Sequence, residues 1–341
     1  MLQPPLIFLG SFIALWTWKC AMMVLFQNAI IYNPYLPPDA RTARIADFEK
    51  KCGGVKWREE RIESLDGTEV ALCLAEVPTK KALRTPSELP IPVYILYFQG
   101  NASSIPPRLP DLSSILRRIS NIEQPASYTM VCLSYRGYWT SHDRPSEKGI
   151  NLDSEAALRW IHEKLHANVP RGTPDPIVIL WGQSIGCGFA TNLAAKTSIC
   201  KMIDLPIHAL VLETPFVSTR TMLQALYPQK WLPYQYLWPF LRNHLDSWAN
   251  LGTMAKEVST NKPRVYIIEG GRDELVPPDH GAQLQQRCEE VGLPVERRTV
   301  RGALHNEVMV KPLGKDAIAQ SILAAVAEGE GDGTRLGSRQ C

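Results

Sequence analysis

The sequence predicts an α/β domain in which a mostly parallel central sheet is flanked by helices. Short, continuously apolar runs suggest strands that are buried on both faces, as in parallel sheets. These runs alternate with stretches of helical spacing, and this alternation is typical of a layered α/β fold. A hairpin pattern precedes them, because the turn dipeptide Asp66-Gly67 lies between two strand-like runs at 55–63 and 68–77.

The predicted strands and helices follow one another from residue 93 to residue 327. The expected strands are the runs 93–98, 128–134, 177–181, 207–212, 265–269 and, more weakly, 296–300. The expected helices are the stretches 103–120, 152–165, 184–197, 278–291 and 312–327. The segment 214–262 falls outside this alternation and is rich in Tyr and Trp, so we expect a small cap inserted over one edge of the sheet. Its aromatic side chains would either form an apolar groove or pack against the sheet edge.

The N-terminal segment has the length and polarity of a membrane span. Residues 6–26 are apolar except for Thr17, Lys19 and a few small residues, which is enough for one crossing of a bilayer. No basic residue precedes them and no small-residue cleavage pattern follows, which favours a retained anchor over a cleaved signal peptide. An interfacial or packed helix is the remaining alternative.

These observations divide the chain into three parts. We expect an anchor and linker at 1–38, a folded domain at 39–327 that includes the cap, and a disordered tail at 328–341 that is rich in glycine and charge.

Charge and cysteine content exclude several other classes of protein. The net charge of +3 is weak and scattered over 341 residues, so we expect no nucleic-acid partner. The eight cysteines form no C-x-x-C pattern and no metal-type pair with histidine. We therefore expect reduced thiols, no metal site and no cofactor.

The strongest motif is G-x-S-x-G at residues 182–186. It stands between a predicted buried strand and a predicted helix, the setting that a nucleophile elbow requires. In such an elbow the serine lies on a strained turn, and glycine flanks it because side chains there would collide with neighbouring backbone. We predict that Ser184 is a nucleophile and that the N–H of Ile185 donates to an oxyanion. The alternative is a plain tight turn.

A second oxyanion donor is expected from the loop after the strand at 93–98. Gly100 would let the backbone approach a substrate, and the N–H of Asn101 or Ala102 would point inward. Gln99 would shape this loop through a hydrogen bond. The alternative is an ordinary glycine turn.

The acid and the base are expected in later loops, because the chain order for such an elbow is serine, acid, histidine. Asp273 follows the run 265–269 and would hold the tautomer of the histidine, with Glu274 as the nearest rival. His305 follows the last weak strand, and the other six histidines fall outside the required position. We therefore predict that Ser184, Asp273 and His305 are the catalytic residues.

Six segments together resemble a known family. They are the stretches 97–102, 134–138, 145–149, 181–186, 270–273 and 304–306. In these segments the chain resembles the α/β-hydrolase-domain serine hydrolases, and among them the membrane-anchored bud-emergence type. The resemblance spans the domain from about residue 55 to 325. It implies the α/β-hydrolase fold and relatives that include lysophospholipid and monoacylglycerol lipases and protein depalmitoylases. Relatives usually have His at the position of Gln99, which implies an altered rate or selectivity here.

The main functional hypothesis is a membrane-bound serine hydrolase. It would cleave acyl ester or thioester bonds of a lipid or acyl-protein type of substrate through an acyl-enzyme intermediate. A serine peptidase of the same fold and a catalytically inactive membrane-bound scaffold are the alternatives. The sequence leaves the oligomeric state open.

The anchor would place the protein in an endomembrane or in the plasma membrane. The stretch 101–103 is the only N-x-S/T glycosylation pattern in the chain. A glycan there would block the predicted oxyanion loop, which favours a cytosolic position of the domain.

Overall fold

A computed structural model describes residues 3–84, 89–122, 125–167, 172–258 and 262–337. Its centre is one sheet of eight strands. The strands are β1 Arg58–Glu63, β2 Glu69–Pro78, β3 Ile91–Phe98, β4 Ala126–Ser134, β5 Ile177–Gln183, β6 Ala209–Glu213, β7 Arg264–Gly270 and β8 Val295–Val300. The order across the sheet is β1-β2-β4-β3-β5-β6-β7-β8. Strand β2 pairs in antiparallel fashion with both neighbours, and the remaining pairs are parallel. The predicted class, a mostly parallel α/β sheet that begins with a hairpin, is confirmed.

Helices cover both faces of this sheet. They are α1 Gln3–Leu25, α2 Gln27–Ile31, α3 Lys80–Arg84, α4 Leu109–Ser120, α5 Glu147–Ala167, α6 Ile185–Ala195, α7 Thr197–Met202, α8 Thr219–Leu226, α9 Ser247–Glu257, α10 Asp279–Glu290 and α11 Pro312–Gly337. Short 3₁₀ helices lie at Ile45–Asp47, Glu49–Lys51, Pro106–Arg108 and Pro233–Phe240.

The alternation of side chains along each strand builds two cores, one on each face of the sheet. In β3, Ile95 belongs to the core shared with α4 and α11, whereas Leu96 belongs to the core shared with α5 and α6. Both side chains are fully buried, which explains why these strands read as continuous apolar runs. The carboxyl ends of the parallel strands meet at one edge, where α/β sheets place their ligands.

The first helix, α1, has the properties expected of a membrane span. Residues 4–25 form a helix that is long and apolar enough to cross a bilayer, and its apolar window has no buried residues. At 1.5 Å per residue these 22 residues extend about 33 Å, close to the thickness of a hydrocarbon core.

Residues before the boundary expected at 38 pack into the domain and do not form a free linker. Tyr32 is 1% exposed and belongs to a core cluster of the domain, and its hydroxyl donates to the side chain of Asn243 at 3.0 Å. Gln27 is also buried. This segment packs into the domain because a large aromatic side chain anchors it there.

The end of the chain also differs from the expectation. Helix α11 continues to Gly337, whereas a disordered tail was expected from residue 328. The carboxylate of Glu328 pairs with Arg264 at 2.8 Å, and Gly329 lies against the side chain of Ile177. The helix therefore extends past the expected boundary because its next turn still rests on the sheet. Residues 338–341 lie outside the described ranges.

The cap occupies the expected position between β6 and β7. It consists of α8, the 3₁₀ helix Pro233–Phe240 and α9, and residues 259–261 of the expected segment lie outside the described ranges. The cap contacts α1: the ammonium group of Lys19 lies 4.3 Å from the ring centroid of Tyr234, and the rings of Trp16 and Trp231 are 5.9 Å apart.

Candidate active site

The sharp turn at Ser184 joins β5 to α6. Its backbone has φ 52° and ψ −117°, a conformation that non-glycine residues rarely adopt and that is costly unless the surroundings enforce it. The N–H of Ser184 donates to the carbonyl oxygen of Glu213 at 2.8 Å, which ties the turn to the neighbouring strand. The strained turn is thus held by the sheet, as predicted for an elbow.

The two glycines of the motif are required by close backbone approach. A Cβ atom at Gly186 would lie 2.2 Å from the carbonyl oxygen of Phe98, and one at Gly182 would lie 2.5 Å from the backbone nitrogen of Cys187. Backbone atoms cannot move aside as a flexible side chain can, so any larger residue would displace the turn. The spacing of glycine, serine and glycine therefore reflects the packing of β5, α6 and the end of β3.

The structure brings Ser184, His305 and Asp273 together. The Oγ atom of Ser184 lies 2.8 Å from Nε2 of His305, and Nδ1 of the same ring lies 2.8 Å from Oδ2 of Asp273. These residues follow β5, β8 and β7, so the three come from separate loops at one edge of the sheet. His305 is 3% exposed, and the contacts at both ring nitrogens orient it.

The carboxylate of Asp273 is held from a second side. Its Oδ1 atom accepts the N–H groups of Leu275 at 2.9 Å and Val276 at 2.8 Å. Burial would raise the pKa of Asp273, but the hydrogen bonds from His305 and from these N–H groups outweigh it and lower that pKa. Its predicted rival Glu274 instead accepts the backbone N–H of His305 at 3.0 Å, so it fixes the histidine loop and not the ring.

The loop after β3, which is predicted to supply an oxyanion donor, differs in one respect from the expectation. The N–H of Ala102 donates to the side-chain oxygen of Asn101 at 2.7 Å, so it is not available as a donor in this conformation. That oxygen also accepts from the Tyr138 hydroxyl at 3.2 Å. Asn101 lines the same cavity as Ser184 and Ile185. Of the two predicted alternatives, the geometry favours the backbone of Asn101, because a polar side chain captures the next N–H.

Gln99 and Gly100 lie directly beneath this loop. The Tyr135 hydroxyl donates to the backbone oxygen of Gln99 at 2.8 Å, which fixes the start of the loop. The Gln99 side chain is fully buried, and within the described ranges its amide nitrogen and oxygen have no hydrogen-bond partner. A Cβ atom at Gly100 would lie 3.1 Å from Oε1 of Gln183, so this position is tight.

The sequence analysis did not single out a buried carboxyl group next to the turn at Ser184. Glu213 ends β6 and is fully buried. Its carboxylate accepts from Gln183 Nε2 at 3.1 Å, Met309 N at 3.0 Å and Trp181 Nε1 at 3.2 Å. Burial raises the pKa of Glu213 to about 7, against these hydrogen bonds, which lower it. An acidic residue at the end of an apolar strand was the available signal.

An apolar cavity of about 360 Å³ opens onto Ser184 and His305. Its walls come from the end of α1, from α2, from α8 and from the 3₁₀ helix of the cap. Tyr227 and Phe240 line it, whereas Tyr234 is buried and Trp231 is 68% exposed. The cap aromatics therefore divide between groove and packing, the two alternatives left open by the sequence.

The described part of the chain contains no group of three or more His, Cys, Asp and Glu side chains that could hold a metal ion. The seven cysteines that it includes are free thiols.

Comparison with known proteins identifies homologues. The chain is 29% identical to protein bem46 from Schizosaccharomyces pombe over 194 residues, which cover 57% of this chain and 56% of that protein. It is 32% identical to lysophosphatidylserine lipase ABHD12 from Danio rerio over 193 residues, 56% of this chain and 46% of that protein. These matches thus span about half the length of each relative. No protein-family model matches the chain.

Solved structures show the same fold. The esterase Pf2001 from Pyrococcus furiosus superposes with a TM-score of 0.54 and 16% identity, covering 81% of this chain and 92% of the esterase. At this identity the likeness supports the α/β-hydrolase fold alone, as the sequence resemblance implied.

Proposed function

We propose that this chain, which has homologues named protein bem46 and α/β hydrolase domain-containing proteins, is a serine hydrolase. A relative named as a lipase supports an ester hydrolase in general. The observation that supports a serine nucleophile is a pair of 2.8 Å contacts, one from Ser184 to His305 and one from His305 to Asp273. Ser184 itself has a strained backbone and faces an apolar cavity.

In the proposed mechanism, His305 Nε2 removes the proton from Ser184 Oγ as the oxygen attacks the carbonyl carbon of an acyl ester or thioester. Asp273 accepts a hydrogen bond from Nδ1–H, which selects the tautomer with a free Nε2 and stabilises the imidazolium. The negative charge on the carbonyl oxygen would be stabilised by the N–H groups of Ile185 and Asn101.

The second half of the reaction uses the same groups. His305 donates its proton to the departing alcohol or thiol, which leaves an acyl group on Ser184. A water molecule, deprotonated by His305, then attacks this acyl-enzyme and releases the carboxylic acid. Loss of one oxyanion donor in such sites costs about a hundred- to a thousandfold in rate.

The proposed arrangement in the cell is a single-pass anchor near residues 6–26 with the catalytic domain in the cytosol. The length and polarity of α1 support the anchor. The free thiols and the glycosylation pattern at Asn101, inside the oxyanion loop, support the cytosolic side.

A comparison of matched substrates tests the proposed reaction. The purified full-length protein is assayed with the butyryl ester, thioester and anilide of comparable chromogenic leaving groups. We expect turnover of the ester and the thioester and none of the anilide. Preferential cleavage of the anilide would favour the peptidase alternative, and absence of turnover with all three would favour the inactive scaffold.

A further inference from the structure

The cavity at Ser184 has two walls of different origin. One wall comes from the end of the membrane-length helix, including Met23 and Val24, and continues into α2. The other comes from the cap, including Met222, Leu223 and Phe240. The helix that is long enough to cross a bilayer is therefore also part of the space that faces the candidate nucleophile.

Several hydrogen bonds fix the end of α1 to the cap. The side chain of Gln27 accepts the N–H of Arg242 at 2.6 Å and donates to the carbonyl oxygen of Phe240 at 3.0 Å. The guanidinium of Arg242 donates to the carbonyl oxygens of Val24 and Leu25 at 3.0 and 2.9 Å. Carbonyl oxygens at a helix end need such partners, and the Val24 oxygen also accepts from Gln27 Nε2 at 3.0 Å. The two walls are thus joined along one side of the cavity.

Contacts between α1 and the cap continue deeper along the helix. Lys19 lies over the ring of Tyr234 at 4.3 Å, and Trp16 lies beside Trp231 at 5.9 Å. Trp16 precedes Leu25 by nine residues, which corresponds to about 14 Å along the axis. If α1 crosses a bilayer, the part of the cap at Trp231 must lie within the hydrocarbon layer, and the cap as a whole cannot stand above the membrane.

The outer surface of the cap has the composition that such a position requires. Trp231, Tyr236 and Trp238 are 68%, 55% and 39% exposed and do not line the cavity. A cluster of large exposed apolar side chains marks an interaction surface, and Trp and Tyr are enriched where proteins meet the lipid headgroups. The partner that fits both this surface and the adjoining helix is a lipid bilayer.

We propose that the cap dips from the membrane interface into the bilayer beside α1, and that the cavity between them receives one acyl chain directly from the bilayer. The substrate would be a membrane-resident amphiphile whose ester or thioester carbonyl reaches Ser184 while its acyl chain lies between α1 and the cap. This inference rests on the proposed hydrolase function and adds the route and the class of substrate.

The test uses the full chain reconstituted in phosphatidylcholine vesicles, with p-nitrophenyl acetate and p-nitrophenyl palmitate as substrates. Met23→Trp fills the helix wall of the cavity. Its matched control is Leu25→Trp, because the Leu25 side chain is 64% exposed and lies about 200° away around the helix. Trp231→Glu places a charge on the cap surface, and its control is Leu313→Glu on α11, where the side chain is also 64% exposed.

The measured quantity is the ratio of kcat/KM for palmitate to that for acetate. We expect Met23→Trp and Trp231→Glu each to lower this ratio by at least about tenfold, and the two controls to leave it unchanged. An unchanged ratio in either test variant, or an equal fall in its control, would overturn the inference. A wild-type protein that hydrolyses neither ester would instead overturn the proposed function, so the two failures are distinct.

Discussion

The hydroxyl of Tyr32 donates a 3.0 Å hydrogen bond to Asn243, and this contact joins the segment after α1 to the cap. The Tyr32 ring also stacks on Phe189 of α6 with centroids 6.3 Å apart. Residues 27–38 thus belong structurally to the domain. We therefore expect removal of the first helix to change the free energy of unfolding much less than removal of the segment that follows it.

Two truncations test this distinction. Removing residues 1–25 should leave a folded domain, whereas removing residues 1–38 should lower the free energy of unfolding by at least a further 3 kcal/mol or so, the scale for loss of a buried aromatic side chain. Urea unfolding of the two truncated proteins measures the difference. Equal unfolding free energies would show that residues 26–38 do not contribute to the core.

The roles of Asp273 and Glu274 can be separated by isosteric substitutions. Asp273→Asn would remove the acceptor that we propose selects the histidine tautomer, and we expect kcat to fall by about 10⁴-fold. Glu274→Gln keeps an oxygen that can accept the backbone N–H of His305, so we expect kcat to change by less than about threefold. Ester hydrolysis at pH 8 is the measurement. A large loss with Glu274→Gln and a small one with Asp273→Asn would reverse the assignment.

The positions of Ser184, Asp273 and His305 could be predicted because each follows a strand end in the expected chain order. Strand β8 was the weakest prediction, since the charged side chains of this edge strand interrupt the apolar pattern. Contacts between segments that are distant in the sequence could not be predicted. Nothing local indicates that Tyr32 packs on the domain, or that the side chain of Asn101 captures the N–H of Ala102.

Glu213 should make the stability of the protein depend on pH. Burial raises its pKa from 4.5 to about 7 in the folded state, so between these values the folded protein holds a proton that the unfolded chain has released. Glu213 therefore contributes its full stabilisation below pH about 4.5. As the pH rises from there to about 7, the free energy of unfolding should fall by roughly 3 kcal/mol.

The matched variant Glu213→Gln cannot titrate at this position. Between pH 5 and 7.5 the wild type should lose about 2 to 3 kcal/mol more unfolding free energy than the variant does. Urea unfolding at both pH values measures this difference. Parallel stability curves for the two proteins would mean that Glu213 does not hold its proton in the folded state.

The glycosylation pattern at Asn101 reports the side of the membrane. The Asn101 side-chain oxygen already accepts from the N–H of Asn33 at 3.2 Å and from Ala102 and Tyr138. A glycan on this side chain would stand at the cavity that faces Ser184. For a cytosolic domain we expect no glycan, so endoglycosidase treatment of protein from eukaryotic cells should not change its gel mobility. A mobility shift that Asn101→Gln removes would place the domain in the lumen.

Labelling by a fluorophosphonate probe reports whether Ser184 is an activated nucleophile. Wild-type protein should be labelled and should hydrolyse short esters. Ser184→Ala should abolish labelling and lower kcat by at least about 10⁴-fold, with an unchanged unfolding midpoint as the control for folding. Labelling or ester turnover that persists at the wild-type level in Ser184→Ala would show that Ser184 is not the nucleophile.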